Sequence, residues 1–84
     1  MELHEKIEQV NSREDLIKFI FDLRNDLHKN KENWENVTLE NYLEAMEAWT
    51  NDMDGYFMNI KQPMPEQPSW KLIAKILYAS SMYE

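Results

Sequence analysis

LENYLEAMEAWTNDMDGYFMNI, residues 39–60, decides how this chain folds. Its apolar residues are Leu39, Tyr42, Leu43, Met46, Trp49, Met53, Tyr56, Phe57 and Ile60, at steps of three or four or as adjacent pairs. That recurrence is one face of a helix with 3.6 residues per turn. Thr38 stands just ahead, where its hydroxyl can accept a free backbone N–H of the first turn. Gly55, the single glycine of the chain, falls inside the pattern without changing its phase. A glycine in a helix interior costs about 1 kcal/mol relative to alanine. Burying Tyr56, Phe57 and Ile60 beyond it offers about 1.5–3 kcal/mol each. The expectation is one unbroken helix, about 33 Å long at 1.5 Å per residue. The competing reading ends the helix at Asp54-Gly55 with a glycine cap.

The other side of this helix is acidic. Glu40, Glu44, Glu47, Asn51 and Asp54 follow one another at steps of four, three, four and three, which places them on one ridge. No lysine or arginine occurs in residues 32–60, and seven of the sixteen acids do. The remaining nine acids are matched by the nine bases, so the whole net charge of −7 belongs to about a third of the chain.

Eighty-four residues give room for a single domain with a modest core. The absence of cysteine removes disulfides and thiolate metal ligands. A single glycine leaves little material for hairpin turns and disfavours a strand-rich fold. Neither an apolar run suited to a signal peptide nor a membrane-spanning stretch is present, so a cytoplasmic protein without membrane contact is expected. Acidity argues against direct binding to the phosphates of nucleic acid.

The rest of the chain supports an all-α fold: a small bundle of three main helices, with a short N-terminal helix as an optional fourth. Residues 2–10 carry Leu3, Ile7 and Val10 among charges, a brief helix or a frayed end. Ser12 followed by Asp15 approximates a capping box. It opens a helix from Arg13 to Lys29, with Leu16, Phe19, Ile20, Leu23 and Leu27 inside and Ile17 and Phe21 widening the stripe. Trp34 is expected to fold onto the junction of the first two main helices. Residues 61–69 hold all three prolines and read as an extended connection, with Pro68 suited to the first position of the last helix. That helix is expected to bury Trp70, Ile73 and Leu77, with Ile76, Tyr78 and Met82 as further candidates. Ala74, Ala79, Ser80 and Ser81 would let a neighbour approach closely.

Chemistry finds little support. In a calcium-loop register Gly55 puts Thr50 at position one and Lys61 at position twelve, where the loop needs acids. His4 with Glu8 and His28 with Glu32 have helical ligand spacing, but nothing nominates a third ligand. For Asp22 and Asp26 the sequence makes no partner base for acid–base work apparent, and Ser80-Ser81 has no nucleophile motif. No catalytic, cofactor or metal residue is nominated, and no enzymatic activity is expected. The tryptophans and tyrosines read chiefly as packing. Tyr42 and Tyr56, beside the acidic ridge, are the better candidates for an aromatic contact surface.

Trp34-Glu35-Asn36, Leu39-Glu40-Asn41-Tyr42-Leu43, the run Glu44-Ala45-Met46-x-x-Trp49-x-x-Asp52-Met53-x-Gly55, then Pro65-x-x-Pro68-x-Trp70 and Tyr83-Glu84 form a specific combination. It resembles a family of short bacterial domains of unknown function, over roughly residues 12–84. The resemblance implies a small standalone bacterial protein and brings no activity or catalytic residue with it. Residues 1–11 fall outside it, as an extension of this chain.

The function expected is that of an acidic protein-binding module. Glu40, Glu44, Glu47, Asn51 and Asp54, with Tyr42 and Tyr56, would contact a basic partner, as an inhibitor or immunity-type protein does. The alternative is a metal-dependent small enzyme or ion-binding module using Asp52, Asp54 and a histidine. Partner identity and oligomeric state have no signature in the sequence.

Overall fold

A computed structural model describes residues 2–84. Its helices are α1 (Leu3–Lys6), α2 (Arg13–Lys29), α3 (Leu39–Asn59) and α4 (Trp70–Met82). Single 3-10 turns lie at Ile7–Gln9 and Lys31–Asn33, and no strand occurs among the described residues.

Each main helix starts on a hydroxyl cap. Ser12 Oγ accepts from the Asp15 N–H at 3.1 Å, Thr38 Oγ1 from the Asn41 N–H at 3.1 Å and Ser69 Oγ from the Leu72 N–H at 3.0 Å. The Asp15 carboxylate reaches back to the Asn11 N–H at 3.0 Å, so the box closes one residue ahead of the cap. At α4 the cap is Ser69 and the first helical residue is Trp70, so Pro68 precedes the cap instead of opening the helix.

α3 runs through Gly55 unbroken. Its stop comes later, where Lys61 takes the left-handed conformation with φ 58°. The Gln62 N–H donates to the Phe57 carbonyl at 3.0 Å and the Lys61 N–H to the Met58 carbonyl at 3.1 Å. This is the Schellman arrangement, formed with a lysine where glycine is usual.

α4 lies at the centre. α3 packs along one side, α2 along another and the Ile7–Gln9 turn along a third, while α2 and α3 scarcely touch. Ala74, Ser80 and Ser81 have no solvent exposure, which lets neighbouring backbones come close. The two serine hydroxyls are satisfied within the helix, Ser80 donating to the Ile76 carbonyl and Ser81 to the Tyr78 carbonyl, each at 2.6 Å. Ile7, Val10, Leu16, Phe19 and Ala74 form the core cluster. The N-terminal segment is therefore folded into the core, not frayed.

Several side chains expected inside are outside. Ile17, Ile20 and Phe21 on α2, Leu39 and Leu43 on α3 and Ile60 at the C-cap of α3 are exposed. The reason is the divergence of α2 and α3: each meets α4 with a narrow strip, Leu16, Phe19 and Leu23 on α2 and Ala45, Trp49 and Phe57 on α3. Trp70, expected inside, is 40% exposed at the first position of α4.

Candidate partner-binding surface

The Thr38 cap opens α3. With Ala45, Trp49 and Phe57 turned onto α4, Glu40, Glu44, Glu47, Asn51 and Asp54 come out on the opposite side, all exposed. The two ion pairs among the described residues are Lys6–Asp22 at 3.2 Å and Lys71–Glu8 at 3.7 Å, so no base neutralises the ridge from within the chain. Local hydrogen bonds occur only at its far end: Asn51 donates to Asp52 at 3.3 Å, and Asp54 accepts from the Gly55 N–H at 2.9 Å. Glutamates at these spacings repel one another mildly.

Tyr42 and Tyr56 sit elsewhere. The Tyr42 hydroxyl donates to the Leu77 carbonyl at 2.8 Å, its ring stacks on Trp34 with centroids 6.3 Å apart, and burial pushes its pKa up. It braces α3 against α4. Tyr56 lies between Trp49 and Phe57, at centroid distances of 5.4 and 5.1 Å, with Lys75 Nζ 5.3 Å from its ring centre. It lines a groove of about 400 Å³ with Trp49, Lys75, Tyr78 and Met82, closed on the far side by His4, Ile7 and Glu8. No sequence signal pointed to this groove, since its walls come from both ends of the chain. At its edge the Tyr83 hydroxyl donates to Asp52, a bond that raises the tyrosine pKa.

Asp52 is thus engaged by Tyr83, and Asp54 projects from a different side of the helix, with the ridge. No three histidines, aspartates or glutamates among the described residues come together as a metal-binding group. The set of Asp52, Asp54 and a histidine is not assembled.

The loop before α3 holds the frame of the surface. Trp34 Nε1 donates to Asp26 at 2.8 Å, tying α2 to the ring that stacks on Tyr42. Asn36 donates from Nδ2 to the Ser80 and Tyr83 carbonyls at 3.1 and 2.7 Å. The Glu35 and Asn36 N–H groups reach the Ser81 carbonyl at 3.0 and 3.1 Å. Together they satisfy carbonyls that the end of α4 leaves without helical partners. The family model for a family of unknown function, DUF7660, matches residues 12–84. This chain belongs to that family. The DUF7660 match opens at Ser12, the cap of α2, and takes in α2, α3 and α4 with the ridge and the Trp34–Asn36 clamp. α1 and the following turn lie outside it, yet supply Ile7 and Val10 to the core. No curated protein and no solved structure matches the chain. Among the described residues no helix is long and apolar enough to cross a membrane.

Proposed function

We propose that this member of DUF7660 works by binding and not by catalysis, with the acidic ridge of α3 as the surface that receives a basic protein. One observation supports the reading above all: Glu40, Glu44, Glu47 and Asp54 stand exposed on a single ridge without a base beside them. A ridge that costs some helix stability through like-charge repulsion and gains none from ion pairs contributes little to folding. A field of one sign does accelerate encounter with a partner of the other sign and orients it. An inhibitor or immunity-type role, in which the ridge stands in for a polyanion, is the special case that fits a small acidic helical domain.

The test is capture from a native lysate at low salt, comparing the unaltered chain with Glu44→Lys/Glu47→Lys. The reading expects a basic protein that is retained by the first, lost by the second and released as ionic strength rises. A partner held equally by both would contradict it. Unchanged behaviour with no capture by either would leave the ridge as a solubilising surface.

A further inference from the structure

The groove at Tyr56 has a floor and two walls. Lys75, Tyr78, Ala79 and Met82 recur at helical spacing and put one face of α4 beneath it. Trp49 and Tyr56, two turns apart on α3, form one wall, and the N-terminal segment from His4 to Glu8 forms the other. Its volume of about 400 Å³ lies within the roughly 300–1,000 Å³ of small-ligand sites. Aromatic rings with a few polar groups among them are the make-up of a site that takes an apolar body and holds it by one anchoring group.

Charge decides what that group meets. Glu8, in the N-terminal wall, is paired with Lys71 at 3.7 Å, and Asp52, at the edge, accepts from the Tyr83 hydroxyl. Lys75 has no carboxylate. Neither of the two ion pairs among the described residues includes it, and its ammonium lies 5.3 Å from the ring centres of both Tyr56 and Phe57. It is half-buried and lines the groove. An ammonium carries three donors, and ring faces satisfy them less well than a carboxylate does. The charge left unmatched in the groove is therefore positive. A cationic ligand would compete with Lys75 for the rings, and an anionic one would pair with it.

We propose that this groove binds a small planar aromatic carboxylate, with its ring among Trp49, Tyr56 and Tyr78 and its carboxylate on Lys75. Enclosure by α3, α4 and the N-terminal segment bounds the site to one free small molecule. The inference goes beyond the ridge reading and stands without it, since groove and ridge occupy different faces of α3.

Titration of the full chain, followed by calorimetry and by amide-resolved NMR, tests it with three probes of one shape: indole-3-acetate, the neutral indole-3-acetamide and the cationic tryptamine. The expected result is a single site for the acid with a dissociation constant on the order of 0.1 mM. Its binding shifts the Trp49 indole N–H and the amides of Tyr78 and Ala79. The amide and the amine bind at least about 10-fold more weakly. Lys75→Gln, with the helical circular dichroism unchanged, cancels the advantage of the acid over the amide, and Lys75→Arg keeps it. No saturable binding of the acid at millimolar concentration overturns the inference. So does tryptamine binding as tightly as the acid, an acid–amide difference that survives Lys75→Gln, or shifts centred away from the groove. Octanoate binding more tightly than indole-3-acetate overturns it too, by removing the need for a planar ring.

Discussion

α3 and α4 pack against each other along most of their length and are built on opposite plans. α3 is the longer, with 21 residues against 13, and keeps one strip on the protein and the rest in water. α4 has only Lys71 and Lys75 as charges and is covered on three sides, by α3, α2 and the N-terminal turn. A helix apolar most of the way round is one that others pack against, and a helix with a narrow apolar stripe is one that packs against something. Length and a clean period identify a helix; the breadth of its apolar face says whether it is the centre or an arm.

The largest effect expected from this contrast comes from outside the family match. Removing residues 2–11 takes Ile7 and Val10 from the core around α4. It should lower the unfolding free energy by about 3–6 kcal/mol, two buried side chains at about 1.5–3 kcal/mol each. Urea denaturation of residues 12–84 reads this directly; a midpoint within error of the full chain would mean that the family segment needs no third wall. Leu72→Ala, on the buried side of α4, should cost about 2–5 kcal/mol. Glu47→Ala, on the open side of α3, should stay within about 0.5 kcal/mol. Equal costs at the two sites would dissolve the distinction between centre and arm.

Smaller effects sharpen how the two helices end. Asn36→Ala strips the carbonyls of Ser80 and of the cap residue Tyr83 of their donor and should cost about 1–3 kcal/mol in urea unfolding. At α3 the expected signs are reversed. Lys61 holds a left-handed conformation that glycine adopts freely, so Lys61→Gly should stabilise by about 1 kcal/mol. A Cβ at Gly55 meets nothing within 4 Å, so Gly55→Ala should stabilise by about 1 kcal/mol as well. Both appear as a raised urea midpoint at constant slope, and a loss at either position would show that the end or the middle of α3 is held by something other than its own backbone.

Much of this was legible in the residues. Ser12 and Thr38 announce helix starts by local chemistry, and the unbroken apolar phase carried α3 across Gly55. The acidic ridge followed from spacing alone, and the resemblance to a family of unknown function agrees with the family match in its extent, residues 12–84. What stayed hidden depends on neighbours. Ile17, Ile20 and Phe21 share the period of a core stripe, and periodicity alone does not reveal that α3 turns away and leaves them bare. Trp70 was expected inside with the rest of its helix's apolar residues, and it stands 40% exposed at the first position of α4. The centrality of α4 did have a signal, its scarcity of charge, which the longer and more regular α3 outweighed. The groove at Tyr56 had none, since His4 and Tyr83 meet there only after folding.

The account depends on α4 being the centre of the fold, because only then are the outer faces of α2 and α3 free to meet partners. Native-state hydrogen exchange, read amide by amide at neutral pH, tests this without altering the chain. The slowest amides should lie in residues 74–81 of α4 and exchange only with global unfolding, while the ridge side of α3 opens at lower free energy. Slowest exchange in the middle of α3, with α4 opening first, would contradict the account.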